Sequence, residues 1–170
     1  MKACILYSEL GDYSIACLKA LGKSGVQLML VHWPVNKEAP FKFDFSFINA
    51  VHSRDELSDT QLVQKVESFN PNLILTSGWM YKGYVKVCRS MKSKSVRVLS
   101  LDNHWTGSMK QHAASLVSPF TIKKVFDKAF VPGEVQKQYA LKLGFDNKDI
   151  QTGFYSADTS KFNSIFNEID

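Results

Sequence analysis

The richest chemistry in this sequence lies in one ten-residue run, Asp102-Asn103-His104-Trp105-Thr106-Gly107-Ser108-Met109-Lys110-Gln111. It gathers an acid, two amides, an imidazole, an indole, hydroxyls and a base. Few structural tasks need that mixture, whereas a polar substrate held by convergent groups does. His104 follows the apolar run Val96–Leu101 and so falls at the end of a candidate buried strand, a place that favours a functional imidazole over a structural one. Asp102 is open to other uses, as a helix cap or as a partner of Lys110. A second candidate run is Ser77-Gly78-Trp79-Met80-Tyr81-Lys82-Gly83, where two glycines bracket a Trp and a Tyr. Their ring faces suit the apolar face of a sugar or a lipid; the commoner alternative is a Trp packed beneath its own loop. A third is Ser8-Glu9-Leu10-Gly11-Asp12-Tyr13, with a single glycine ahead of a helix. Gly11 allows close backbone approach and leaves N–H groups directed at an anion. With equal weight, the run is a plain strand–helix turn with Asp12 as N-cap. It is not G-x-G-x-x-G, so the dinucleotide fingerprint is absent.

These runs need elements to position them, and two patterns alternate along the chain. Short apolar runs suited to buried strands are Ala3–Tyr7, Val26–Trp33, Leu73–Thr76, Val96–Leu101 and Ala129–Val131. Helical periodicity lies between them. Ile15, Leu18 and Leu21 form one stripe, and Leu62, Val66 and Phe69 another, opened by the capping box Ser58-Asp59-Thr60-Gln61 and stopped at Asn70-Pro71. A helix over about Tyr84–Met91 turns Val85, Cys88 and Met91 inward and Lys82, Lys86 and Arg89 outward. The segment Gln111–Phe126 holds a helix interrupted at Pro119, and a last one starts at Pro132-Gly133-Glu134 and ends at Gly144. Continuous apolar strands alternating with amphipathic helices predict an α/β, Rossmann-like, doubly wound and mainly parallel sheet with helices on both faces. Ligands then bind in the loops beyond the C-terminal strand ends, where the three candidate runs fall. The stretch Pro34–Arg54, with Phe41, Phe43, Phe45 and Phe47 alternating, reads as a strand flanked by loops.

Bulk numbers narrow the class. The chain's 170 residues fit one domain, and 45% apolar with 22% charged residues is ordinary for a globular protein. Cys4, Cys17 and Cys88 form an odd set without C-x-x-C spacing, which predicts buried reduced thiols, no zinc site and a reducing compartment such as the cytoplasm. No apolar run approaches the ~20 residues of a membrane span. The net charge of +5 attracts anions without saying which. The aromatic residues do not form an RNA-binding signature, so no nucleic acid is expected as a partner.

From Asp127 to Phe162 the chain reads DKAFVPGEVQKQYALKLGFDNKDIQTGFYSADTSKF. This resembles the end of the N-terminal domain of glycosyltransferase family 4, of GT-B architecture. The matching features are Val131-Pro132-Gly133, the helix Gln136 to Phe145, the short strand Ile150 to Gly153, and Asp158 with Phe162. The order of elements agrees along the whole chain, although the first loop lacks the paired glycines many members carry.

The resemblance implies one acceptor-side domain, residues 1–170, whose donor-binding C-terminal partner domain is absent from this chain. It implies a retaining, metal-independent transfer from a sugar-nucleotide donor, with no further cofactor. The acceptor would be a carbohydrate or lipid-linked molecule in the biosynthesis of cell-surface polysaccharide or glycolipid. His104 falls where these enzymes commonly place a histidine near the transferred sugar. Asp102 or Asp12 is a candidate base, and Gly11, Asp12, Gly78, Trp79, Asn103, Trp105 and Lys110 are candidate substrate contacts. The exposed stripe Lys82, Lys86, Arg89 is either a solvated helix face or a peripheral contact with an anionic membrane on its cytoplasmic side. The competing reading is a non-catalytic Rossmann-like module that binds a nucleotide or sugar.

Overall fold

The computed structural model describes residues 1–34, 42–153, 155–157, 159, 163 and 166, so Phe41, Asp158 and Phe162 lie outside it. Seven strands, β1 (Lys2–Tyr7), β2 (Gln27–His32), β3 (Ala50–Ser53), β4 (Leu73–Ser77), β5 (Val96–Ser100), β6 (Lys128–Val131) and β7 (Ile150–Thr152), form one sheet in the order β3-β2-β1-β4-β5-β6-β7. Every pairing is parallel. In β1 the five residues after Lys2 are all buried, which is why it reads as an unbroken apolar run instead of an alternating one. Among the described residues six helices connect the strands: α1 (Asp12–Lys23), α2 (Asp59–Phe69), α3 (Lys82–Ser90), α4 (Met109–Val117), α5 (Ile122–Val125) and α6 (Glu134–Lys142).

Helices flank both sides of the sheet, although on the α1 side an open apolar cavity of about 370 Å³ lies against Leu73, Leu75, Val98 and Phe130. On one face Cys4, Leu6, Ile74 and Leu99 meet Leu62 and Val66 of α2, Tyr84, Val87 and Cys88 of α3, Ile122 and Val125 of α5, and Tyr139 of α6. On the other, Ala3, Ile5, Leu28 and Leu30 meet Leu18 of α1, Ile48, and the half-buried Phe45 and Phe47. This is the doubly wound α/β architecture expected from the alternation of patterns. The capping box at Ser58 forms in both directions: Ser58 Oγ accepts from Gln61 N, and Gln61 Oε1 accepts from Ser58 N at 2.9 Å.

Three local expectations differ. The alternating phenylalanines do not make a strand: residues 42–49 run as loop and turn, and the strand follows at Ala50–Ser53. Phe45 and Phe47 are apolar because they pad one sheet face, not because they pair. In α3 the inward stripe is Tyr84, Val87 and Cys88, with Met91 buried just beyond, while Val85 is only half-buried. Lys82, Lys86 and Arg89 are exposed as expected. Asp12 is not the N-cap of α1. Gly11 holds that position with extended backbone, its carbonyl accepting from Ser14 N and Ile15 N, and Asp12 is the first helical residue. The cysteines carry free thiols; Cys4 and Cys88 are buried, whereas Cys17, expected to be buried, is half-buried on α1. Burial raises the thiol pKa values of Cys4 and Cys88, the latter to about 12, so neither offers a thiolate at neutral pH.

Tyr84 ties this frame to the strand ends. Its ring is 1% exposed, and its hydroxyl donates to the carbonyl of Tyr7, the last residue of β1, at 2.9 Å. Tyr84→Phe keeps the ring and leaves that carbonyl short of a donor. The expected loss is about 1–2 kcal/mol, a melting midpoint lower by roughly 2–8 °C for a domain of this size. A thermal scan checks it.

Candidate functional site

The strand order reverses direction at β1 and β4, and in an open parallel sheet that reversal opens a crevice beyond the C-terminal strand ends. A cleft of about 600 Å³ lies there. Tyr7, Ser8, Glu9 and Tyr13 enter it from the end of β1 and the segment after it, Ser77 to Tyr81 from the end of β4 and its loop, and Ser100 to His104 from the end of β5 and its loop. The three walls are stitched together. Ser8 N donates to Ser77 Oγ at 2.8 Å, and the two hydroxyls meet at 2.9 Å. Gly78 N donates to Ser100 O at 3.0 Å, with Gly78 at φ +77°, a left-handed conformation that glycine adopts at least cost. The loop after β4 can therefore turn tightly over the end of β5.

The polar run after β5 is shaped by one side chain. Gln111, in the first turn of α4, accepts from Thr106 N at 2.7 Å and from Thr106 Oγ1 at 2.9 Å, and its amide N–H donates to His104 O at 2.7 Å. Ser108 caps α4, its hydroxyl accepting from Gln111 N. Asp102 is therefore not the cap of that helix, and no ion pair joins it to Lys110 among the described residues. His104 is held through its backbone while its imidazole stays exposed at the cleft wall. Asp102, Asn103 and Lys110 are exposed along the same wall. This leaves a carboxylate, an amide, an imidazole and an ammonium available to a ligand, none of them consumed in building the loop.

The two tryptophans have different surroundings. Trp79 lines the cleft while half-buried, its ring 6.2 Å from that of Tyr139. Trp105 is packed against the core, 5.6 Å from Tyr139 and 4.8 Å from His112, with Lys142 above its ring. It does not line the cleft, and its place is beneath the loop that presents His104.

Gly11 and Asp12 also stand outside the cleft lining. The ring of Tyr13 folds back over Gly11, where a Cβ would stand 2.7 Å from it, so the missing side chain makes room for Tyr13. Tyr13 lines the cleft and meets Tyr155, which follows β7, edge-on at 5.3 Å. Burial raises the Tyr155 phenol pKa, and the Asp102 carboxylate and Tyr13 nearby raise it further. Burial likewise raises Tyr7, so the phenol on the cleft floor stays protonated at neutral pH. Of the nine residues singled out by sequence, Gly78, Trp79, Asp102, Asn103, His104 and Lys110 share the cleft, whereas Gly11, Asp12 and Trp105 do not. Sequence reasoning missed Tyr7, Tyr13 and Tyr139 as lining residues. Tyr7 and Tyr13 flank the first loop, and that adjacency is a readable signal; Tyr139 comes from α6 and carries none. Among the described residues no three His, Cys, Asp or Glu side chains gather as metal ligands.

A UDP-GlcNAc 2-epimerase from Neisseria meningitidis, solved bound to UDP-GlcNAc, superposes with a TM-score of 0.59 at 11% identity, over 99% of this chain and 52% of that one. A second UDP-N-acetylglucosamine 2-epimerase gives 0.56 at 11% identity, over 89% of this chain and 47% of that one. The chain has a GT-B-like Rossmann fold. It spans about half the length of these solved structures. No protein-family model matches it, and no curated protein matches it in sequence.

Proposed function

We propose that this chain is the N-terminal, acceptor-side domain of a sugar-nucleotide-dependent, retaining glycosyltransferase that builds a cell-surface polysaccharide or glycolipid. The observation that carries the reading is the cleft at the sheet's reversal point, which Asp102, Asn103, His104 and Lys110 line together with Trp79 and Tyr81. Polar groups with aromatic ring faces suit a carbohydrate, which has both hydroxyls and an apolar face. The neighbour solved with UDP-GlcNAc supports the broader statement that the chain is a sugar-nucleotide-handling domain. The tail motif from Asp127 to Phe162 supports the narrower one, of family 4.

Glycosyl transfer develops positive charge on the sugar ring and negative charge on the departing phosphate. In this reading His104 donates a hydrogen bond to a hydroxyl of the transferred sugar, and Asp102 accepts the proton of the acceptor hydroxyl. Asn103 and Trp79 orient the acceptor, and Lys110 favours anionic groups at the cleft mouth. A second domain holds most of the sugar nucleotide, and a carbohydrate or lipid-linked acceptor enters from this side. The epimerase neighbours favour a second reading, in which the same cleft serves isomerisation of the sugar nucleotide.

The test uses the protein in which this domain is joined to its donor-binding partner. His104→Ala is expected to lower turnover more than tenfold, with an unchanged melting midpoint because the imidazole is exposed. Turnover is read as nucleoside diphosphate released on adding acceptor. Near-normal turnover would make His104 structural, and a sugar nucleotide epimerised without acceptor would favour the second reading.

A further inference from the structure

Helix α4 is inside out. A surface helix normally turns its apolar stripe to the core and its polar face to water. In α4, Met109, Ala113, Leu116 and Val117, spaced i, i+4, i+7 and i+8, are all exposed. Met109 is 88% exposed, Leu116 77% and Val117 51%, and Phe120 in the turn that follows is 73% exposed. The side of α4 against the domain carries Gln111, Ala114 and Ser115, all half-buried. Gln111 is turned to the loop it organises, and the Ser115 hydroxyl is buried. On this side Gln111 shapes the loop and Ala114 packs against the core, whereas Met109, Leu116 and Val117 stay exposed.

The stretch that carries this face is basic, bounded by Asp102 and Asp127, and Asp127 and Asp149 lie within electrostatic reach of Lys123. From Asn103 to Phe126 the sequence holds Lys110, Lys123 and Lys124 and not one Asp or Glu. Lys110 and Lys124 are exposed, and Lys124 reaches over the ring of Phe120, 5.9 Å from its centroid. Lys123 is half-buried, 4.4 Å over Phe145. Exposed apolar side chains flanked by the long cationic ones of Lys110 and Lys124 are the pattern of a helix lying in a membrane interface, where the lysine stems follow the apolar surface and their heads reach the phosphates.

We infer that α4 and the turn after it dock this domain on an anionic lipid surface. Met109, Leu116, Val117 and Phe120 enter the interface, and Lys110 and Lys124 meet the headgroup phosphates. This face, not the Lys82–Lys86–Arg89 stripe of α3, is the membrane contact, because that stripe carries charge without an apolar centre. α4 starts at the cleft, which Lys110 and Gln111 line, so docking sets the cleft mouth beside the headgroups, within reach of a lipid-linked acceptor. Only that last link rests on the glycosyl-transfer reading.

The test is sedimentation of the intact chain with vesicles of phosphatidylcholine alone and of an equal mixture with phosphatidylglycerol, with no sugar nucleotide present. At least tenfold more protein is expected on the mixed vesicles, falling as salt is raised. Leu116→Ser with Phe120→Ser should remove roughly tenfold or more of that binding, and Lys110→Gln with Lys124→Gln roughly fivefold per lysine. All four side chains are exposed, so unchanged melting midpoints separate lost docking from lost folding. Equal binding to both vesicle types, or full binding by the Leu116–Phe120 variant, would overturn the inference. So would a self-association that this variant abolishes while the chain ignores vesicles, which assigns the face to a second copy. Loss of the enzymatic reading would leave all of these outcomes unchanged.

Discussion

Replacing Asp127 with alanine is expected to destabilise the domain by about 2–3 kcal/mol. Arg97 lies within β5 and is 5% exposed, a guanidinium in the interior of the domain. Asp127, just before β6, meets it twice, accepting from the terminal guanidinium N–H at 2.6 Å and from Nε at 3.0 Å, and also accepts the Arg97 backbone N–H at 2.9 Å. Removing the carboxylate leaves a buried cation with only a long contact to Cys88 O, a loss that costs more than the pair itself contributes. Asp127 is 41% exposed, so water reaches the site and holds the loss below that of a fully buried pair. A midpoint lower by roughly 4–12 °C follows. Burial raises the Asp127 pKa, but hydrogen bonds from Arg97 and the charges of Arg97 and Lys123 outweigh it, and the net shift is downward. A depressed carboxyl stabilises the fold above its unfolded pKa of about 3.9. The gap between wild type and Asp127→Ala should therefore be flat through neutral pH and narrow as pH falls below about 4. Unfolding curves across that range check both the size and the sign, and an equal gap at all pH would detach the effect from ionisation.

Arg97 also shows where reading the sequence runs out. Val96–Leu101 reads as an apolar run and does form β5, but nothing in that run says that its one cation goes inward. The partner that permits it is thirty residues away. β1 and β2 are legible because strands buried on both faces need few polar residues. β3 is not: Ala50-Val51-His52-Ser53 is four residues long, half-buried throughout, and paired only with β2 at the sheet edge. An edge strand tolerates polar residues, and the phenylalanines before it made a louder signal for a different reason. In α3 Cys88 and Met91 are inward as expected, and the inward place of Tyr84, with Val85 only half-buried, has a similar origin. Tyr84 is amphipathic, and its inward position depends on the Tyr7 carbonyl that its hydroxyl reaches.

The candidate site was legible to the extent that topology alone places it. Once strands and helices alternate, the segments after β1, β4 and β5 must meet, and Gly78, Trp79, Asp102, Asn103, His104 and Lys110 do share the cleft. Direction within a loop is another matter. His104 and Trp105 are neighbours, yet one faces the cleft and the other the core, because Gln111 fixes the backbone between them and Tyr139 offers Trp105 a surface. Asp12 followed a glycine that already caps α1, so its place in the first helical turn was set by the residue before it. Contacts such as Ser8 with Ser77 and Tyr13 with Tyr155 join distant segments and leave no local trace.

Residues 1–170 alone are expected to show no glycosyl transfer and to bind sugar nucleotides no more tightly than micromolar. The cleft is walled by loops of this domain and stays open to solvent along the wall after β5. His104, Asp102, Asn103 and Lys110 are exposed on it, and Met80 at its rim is 80% exposed. A nucleotide resting on this wall meets donors on one side and water on the other, so its phosphates gain little over bulk solvent. Holding donor and acceptor in reacting geometry is worth roughly 7–11 kcal/mol of barrier, and in the proposed two-domain enzyme that alignment exists only when the second domain closes over the first. Water admitted to the open side would also weaken each charge interaction that His104 and Asp102 make. The measurement is a calorimetric titration of the chain with UDP-linked and GDP-linked sugars, paired with a long assay for released nucleoside diphosphate. Sub-micromolar binding, or release above background, would place a complete donor site on this domain and favour a self-sufficient nucleotide-binding module over half of an enzyme.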